Sequence, residues 1–430
     1  MKIAVIGTGF GGMAAAYDLV KAGNTVTLYE AESAPGGLAA GFKEPNWEWS
    51  VEKYYHHWFT SDEHMFRLFR ELGVEDRVMI LSPKTVMYHK GKFYPFDSIT
   101  SALLYPGLGY GLNKIRFGLV GLYLRFTNRW QPMEQTTVAE WMKKWAGEKV
   151  YTQMWEPLVM GKFSEKYANQ VNMAWMWARL HARTTRLATY QGGFQAFADE
   201  FAAILAKMGV KFAYRTVVKQ LMSEKESGLT LSTTHGNETY DRALVTISPA
   251  LLSKMAPQLP EDYLKGLLDL KSMGAVVMTL ALKHQLSREG YYWYNLPKDA
   301  GFPFLALVEH TNFLSPQKFG GNHIIYCGDY LDPAHEYFQL SKEELLQRFT
   351  PSLKKINPNF ETGWITGSWL VKTNYAQPVP LLNHSRHIPS IETPLKGLYF
   401  ASMSQVYPWD RGTNFAVEIG RRAADLMLRA

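Results

Sequence analysis

Ile3-Ala4-Val5-Ile6-Gly7-Thr8-Gly9-Phe10-Gly11-Gly12, followed by Thr25-Val26-Thr27-Leu28-Tyr29-Glu30, decides the reading of this chain. The first four residues are a short run of buried-strand type, and the glycines turn the chain out of it. Residues 13–23 then read as a helix stopped by Gly23, and residues 25–29 as a second strand ending at Glu30. Strand, G-x-G-x-x-G, helix, strand and acidic residue in that order form the fingerprint of a dinucleotide-binding βαβ unit. Gly7 permits the tight turn, Gly9 lets the backbone approach a pyrophosphate, and Gly12 lets the helix pack closely on the strand. Gly11, in the same turn, is grouped with them as a candidate cofactor contact. The helix N-terminus offers unpaired N–H groups and a positive dipole end to the phosphates. Glu30 is placed to accept hydrogen bonds from ribose hydroxyls.

Three more segments extend the pattern. After Glu30 comes a second glycine pair, Gly36-Gly37, followed by Leu38. Tyr190-Gln191-Gly192-Gly193-Phe194 opens a helical stretch over 194–208 that leads into a strand over 210–218. Gly397-Leu398-Tyr399-Phe400-Ala401-Ser402 reads as the last strand, and Arg411-Gly412-Thr413-Asn414 opens a helix over 415–428. On these segments the chain resembles the flavin-containing amine oxidase superfamily, of protoporphyrinogen oxidase and phytoene desaturase type. The resemblance implies bound FAD, with Gly36 and Gly37 passing along it and the Val218 backbone pairing with the adenine. It also implies that the N-terminus of the last helix, at Arg411, Gly412, Thr413 and Asn414, faces the flavin pyrimidine ring. There its dipole can stabilise negative charge on the reduced flavin. Two positions depart from the family pattern. Leu38 replaces the usual Arg, and Ser402-Met403 stands where an acidic residue is usual, so phosphate contacts fall mainly to backbone N–H groups. The single Cys327, read in a strand of the other domain, is out of place for covalent attachment, so the FAD is expected to be non-covalent.

The scatter of these segments implies a discontinuous α/β, Rossmann-like FAD-binding domain over 1–60, 185–248 and 395–430. The remainder, 61–184 and 249–394, is left for an α+β substrate domain with a mixed sheet. Its first piece reads as helices over 62–72, 114–125 and 138–160. The second reads as strands over 275–283, 304–309, 323–329 and 364–372, with a helix over 341–356 opened by the capping box Ser341-Lys342-Glu343-Glu344. With 430 residues, 47% hydrophobic and 20% charged, the chain is excluded from disordered and collagen-like classes. One cysteine precludes an internal disulfide framework and fits a reducing, cytoplasmic setting. Lys and Arg number 46 against 39 Asp and Glu, a net +7 that permits an anionic ligand or a membrane surface. No nucleic-acid-binding motif accompanies it.

Candidate chemistry clusters at Glu52-Lys53-Tyr54-Tyr55-His56-His57-Trp58-Phe59, close after the second glycine pair. Residues 54–62 resemble a segment of another flavoprotein family, the UDP-galactopyranose mutases, and Tyr94-Pro95-Phe96 is loosely similar too. That resemblance implies a His near the flavin, matched by His57, with His56 its neighbour in register. Ordinary hydrogen bonding at a domain junction accounts for the pair as well, and two adjacent His with no third ligand make no metal site. Trp409, in Tyr407-Pro408-Trp409-Asp410-Arg411, and Tyr375, in a loop over 374–380, are expected to border the substrate cavity. The packed alternative for the first is a loop whose Asp410-Arg411 pair caps the last helix. Arg179, Arg183 and Arg186, with His181, read as a solvated helix face or, alternatively, an anion site.

The leading reading is an FAD-dependent oxidoreductase that takes hydride from a C–H bond of a small organic substrate to flavin N5, with oxygen, a quinone or another acceptor downstream. A redox-neutral nucleotide-sugar mutase and a non-catalytic FAD-stabilised interaction protein are the alternatives. No uncharged apolar run reaches 18 residues, so no spanning helix is expected. The apolar residues 117–124, flanked by Lys114, Arg116, Arg125 and Arg129, suit either a bilayer interface or burial in the helical domain; burial is the expectation.

Overall fold

In the computed structural model, which describes residues 1–223 and 228–429, strand Lys2–Ile6 occupies the centre of a five-stranded parallel sheet. Thr25–Tyr29 and Arg242–Val245 flank it, and Lys211–Ala213 and Leu398–Phe400 form the edges. Segments from the start, middle and end of the chain therefore share one sheet. Helix Phe10–Lys21 crosses one face, with Met13, Ala14, Ala15, Ala16 and Leu19 fully buried. The helices Phe194–Lys207 and Thr413–Arg429 pack beside it. Leu244 and Val417 join the same core.

Two local expectations are corrected here. The glycine helix begins at Phe10, so Gly11 and Gly12 lie in its first turn instead of in the loop. The strand expected over 210–218 is two strands, Lys211–Ala213 in the parallel sheet and Val218–Ser223 in a separate three-stranded antiparallel sheet. Between them Arg215 adopts φ 52°. The turn is held because the Arg215 and Thr216 N–H groups donate to the carbonyls of Glu32 and Glu30 at 2.9 and 2.8 Å.

A seven-stranded mixed sheet forms the second layer, in the order Ile365–Pro378, Ser272–Leu282, His323–Leu331, Ala306–Glu309, Tyr291–Asn295, Lys84–His89, Lys92–Pro95. Only Tyr291–Asn295 and Lys84–His89 pair in parallel. Residues 374–378, expected in a loop, are the end of its long edge strand. Helix Lys342–Leu353 covers one face, started by the capping box of Ser341 with Glu344.

Helices between residues 99 and 182 form a third layer. The single helix expected over 138–160 is broken, because Gly147 takes φ 96° after helix Val138–Trp145. A wide π turn, Tyr151–Trp155, then precedes helix Glu156–Ala168, inside which Ser164 sits at φ 57°. Non-helical backbone at a residue other than glycine, inside a helix, marks a position held by its surroundings. Helix Leu112–Phe126 overturns the expected burial of 117–124. Val120 and Leu124 are buried, but Leu119, Leu122 and Phe126 are 62%, 51% and 75% exposed. Among the described residues, no helix is long and apolar enough to cross a membrane.

Candidate functional site

The glycine turn leaves a cradle at the edge of the parallel sheet. Gly7 takes φ +106°, which only glycine adopts freely, and a side chain there would lie 2.7 Å from Thr246 Oγ1. Gly9 has an ordinary φ of −65°, and a Cβ there would meet nothing within 4 Å. The open volume is therefore over Gly9. Gly12 has none: its Cβ would fall 2.1 Å from the Gly7 carbonyl oxygen, so helix and turn touch through backbone alone. Helix Phe10–Lys21 has no side-chain cap and no acidic residue in its first turn, which leaves its N-terminal N–H groups facing that volume.

The second glycine pair folds over the first. Gly36 N–H donates to the Thr8 carbonyl at 3.0 Å, and a Cβ on Gly37 would come within 3.2 Å of Gly9 Cα. Leu38 follows with its side chain exposed. Glu30 accepts hydrogen bonds from Thr8 N–H at 3.0 Å, Thr8 Oγ1 at 2.5 Å and Glu32 N–H at 3.0 Å, which fixes its carboxylate beside the cradle. Val218 is buried at the start of the antiparallel sheet, just beyond the end of strand Lys211–Ala213.

The last helix, Thr413–Arg429, also lacks acidic residues in its first turn, and a Cβ on Gly412 would meet nothing within 4 Å. Thr413 Oγ1 accepts from the Trp58 indole at 2.7 Å, and Asn414 Oδ1 accepts from Met65 N–H at 3.1 Å. Those side chains anchor the helix, and only its backbone is left to face a ligand. The glycine helix and the last helix touch at Gly11 and Gly420: a Cβ on Gly11 would lie 2.8 Å from the Ala416 oxygen. The missing side chain of Gly11 thus serves helix packing. Ser402 N–H is taken by Gln405 Oε1 at 2.7 Å, and Met403 lies half-buried beside Trp409 and Arg411 in a small cavity.

Between the two sheets, residues 52–59 run with alternating faces. Glu52 accepts from Phe194 N–H at 3.1 Å and from the Tyr326 hydroxyl at 3.3 Å, so it ties the cofactor-side helix to the mixed sheet. Tyr55 and His57 point at the mixed sheet, with ring centroids 5.1 and 6.0 Å from Trp293. His56 points the other way, 5.6 Å from Phe194, and its Nδ1 lies 2.5 Å from the Tyr54 carbonyl oxygen. His57 Nδ1 is buried without a hydrogen-bond partner among the described residues. Burial pushes His56 down to about 4 and His57 down to about 3, so both imidazoles are neutral at physiological pH.

Among the described residues, the side chains of Asp410 and Arg411 bond elsewhere than to the N–H groups of the last helix. Asp410 pairs with Arg179 at 2.7 Å and Lys162 at 3.8 Å, and accepts from the Trp175 indole at 3.1 Å. Burial works against its charge, yet Lys162, Arg179 and Arg411 hold its carboxyl well below the usual range. Arg411 donates to Gln377 at 2.9 Å and to the Tyr330 hydroxyl. Tyr375 shares a 2.8 Å hydrogen bond with Ser404, directly beyond Met403. Trp409 stacks on Phe415 at 5.3 Å and 8° and lies 6.0 Å from His181. Arg411 is the common neighbour: its charge reaches His56 and Tyr55 as well.

A family model for flavin-containing amine oxidoreductases matches residues 10–428. The chain belongs to that family. The 15-cis-phytoene desaturase of Synechococcus elongatus is 28% identical over 34% of this chain and 33% of its own length. The zeta-carotene desaturase of Synechocystis is 24% identical over 54% of this chain and 52% of its own length, so the chain spans a third to about half of these relatives. Among solved structures, one assigned as a protoporphyrinogen oxidase from Exiguobacterium sp. 255-15 has a TM-score of 0.78 at 16% identity, covering 100% and 99% of the two chains. Reduced UDP-galactopyranose mutase has a TM-score of 0.76 at 14% identity, covering 100% and 95%. At these identities the structures show a shared fold.

A flavin suits the cradle that this member of the amine oxidoreductase family presents: open space over Gly9, a bare helix N-terminus and a second glycine pair laid across it. Lys162 and Tyr330 join the site from outside the segments expected there, and Gln377 joins it from within the 374–380 segment expected near the substrate. The signal for Lys162 was available: a lone cation in Leu158-Val159-Met160-Gly161-Lys162-Phe163, which the structure leaves 7% exposed, two residues before the strained Ser164. Tyr330 carried none, since it lies in a strand whose facing elements are far away in sequence.

Proposed function

We propose that this chain is an FAD-dependent oxidoreductase, with the FAD held non-covalently, that oxidises a C–H bond of a small organic substrate. The observation that carries this reading is the cradle over Gly9, facing an uncapped helix N-terminus with Glu30 fixed beside it. Bound there, the flavin would supply a hydride acceptor at N5. Backbone N–H groups of residues 9–12 would bind the pyrophosphate, and Glu30 the ribose. The N-terminus of Thr413–Arg429 would stabilise negative charge at the pyrimidine end. Tyr375, Trp409 and the aromatic rings around His57 would wall the substrate from water. The neutral His57, with Nδ1 uncommitted, is the residue best placed to hydrogen-bond a substrate.

Acid precipitation should release FAD, and anaerobic addition of a substrate should bleach the flavin. His57→Ala should retain FAD but slow that reduction by roughly 100-fold, with a smaller effect from His56→Ala, whose Nδ1 is committed to a backbone carbonyl. A protein that turns over only after prereduction, and stays reduced, would instead be a mutase. Wild-type rates in both His variants would make the pair structural.

The same reading includes peripheral membrane contact. Leu112, Ile115, Leu119, Leu122 and Phe126 expose 51–75% of their surface along one helix face, with Lys114, Arg116 and Arg125 on the same helix. Apolar side chains with basic neighbours suit the interface of an anionic bilayer. The protein should sediment with phosphatidylglycerol vesicles, and Leu119→Glu with Leu122→Glu should lower the bound fraction by about tenfold or more. Wild-type protein that stays in the supernatant would remove this contact.

A further inference from the structure

Glu30 is held more tightly than a ribose contact requires. Its Oε2 accepts from both the N–H and the Oγ1 hydroxyl of Thr8, at 3.0 and 2.5 Å, and its Oε1 accepts from Glu32 N–H at 3.0 Å. Thr8 is fully buried, so its hydroxyl is committed to that bond. The Thr8 carbonyl is engaged as well, accepting from Gly36 N–H at 3.0 Å. The Glu30 backbone is pinned from the edge strand and the turn after it: its N–H donates to the Ala213 carbonyl at 3.0 Å, and its carbonyl accepts from Thr216 N–H at 2.8 Å. The carboxylate is therefore fixed in both position and orientation.

A carboxylate offers about four lone-pair positions, two on each oxygen. Among the described residues, protein donors fill three of those on Glu30: both on Oε2 and one on Oε1. One remains, on Oε1. A ribose presents two adjacent hydroxyls, and a carboxylate with both oxygens free can take one on each. Turning Oε2 toward a second hydroxyl would break its bond from Thr8 and leave a buried donor without an acceptor, which cancels what the new bond gains.

We propose that Glu30 reads a single hydroxyl of the adenosine ribose, through Oε1, and that Thr8 sets this limit by occupying Oε2. Thr8 is then a positioning residue: its side chain acts on the ligand only through the carboxylate. The inference rests on FAD filling the cradle, as proposed above. The two ribose hydroxyls are not equivalent to the protein, since one is read by a charged group and the other is left to backbone or solvent.

Titration of cofactor-stripped protein with FAD and two analogues, one lacking the 2′-hydroxyl and one the 3′-hydroxyl of the adenosine ribose, tests it through the change in flavin fluorescence on binding. One analogue should bind about tenfold or more weakly than FAD, and the other within about twofold of it. Thr8→Val keeps the shape of the buried side chain and removes its donor, and should bring the two analogues within about threefold of each other. Thr8→Ser should restore the difference. Analogues that both match FAD, or that weaken equally, would overturn the single-hydroxyl contact while leaving FAD in the cradle; so would an undiminished difference in Thr8→Val. The wild-type comparison decides even where Thr8→Val does not fold. Wild-type protein that binds none of the three would overturn the cofactor reading and this inference with it.

Discussion

Gly9→Val is expected to give a folded protein that carries no flavin. Gly9 has φ −65° and ψ 167°, a conformation valine adopts without strain, and its Cβ would enter open space. The polypeptide therefore loses nothing, while a pyrophosphate loses the volume in which it meets the helix N–H groups. The flavin absorption band should be absent after purification and should not return on incubation with FAD. Thermal unfolding of the variant should match that of wild-type protein stripped of cofactor. Full flavin content in a folded Gly9→Val protein would move the pyrophosphate elsewhere.

Gly420→Val is expected to fail in the opposite way. A Cβ at Gly420 would stand 2.1 Å from the Gly11 carbonyl oxygen, and backbone cannot swing aside as a side chain does. The two helices must separate, at a cost of about 3 kcal/mol, the upper end of what overpacking exacts. Their separation also strains the ion pairs of Arg421 with Asp18 at 2.9 Å and Glu71 at 2.6 Å. The midpoint of chemical denaturation should fall with and without flavin. Gly266→Ala serves as the control: its Cβ meets nothing within 4 Å in helix Glu261–Asp269, and the change should be neutral or stabilising by about 1 kcal/mol. An unchanged midpoint for Gly420→Val would remove the close helix contact.

The cofactor half of the molecule was legible because its constraints are local. Strand, glycine turn, helix and acidic residue sit within 30 positions, and Gly12 answers a contact with Gly7 that the same segment makes. The errors arose where distant parts of the chain intervene. Nothing between residues 210 and 218 announces that Arg215 and Thr216 will hydrogen-bond back to Glu32 and Glu30. Gly11 looks like part of the phosphate turn until a helix some 400 residues later is seen against it. The apolar run 117–124 reads the same whether protein or solvent covers it, and only the packed helices show that one face is left bare. The site on the substrate side was least legible. Asp410 and Arg411 were visible as a pair, but Lys162, Gln377 and Tyr330 reach them from a helix and two strands.

The contact between Gly11 and Gly420 also sets a schedule for synthesis. Asp18 and its partner Arg421 are separated by 403 positions. A ribosome adding about 5–20 residues per second spends roughly 20 to 80 seconds between them. For most of that time the glycine helix stands without its neighbour, and the parallel sheet lacks its last strand, Leu398–Phe400. A segment made some 400 residues before its partner is thus among the last to be completed, and its apolar face is on offer to chaperones meanwhile.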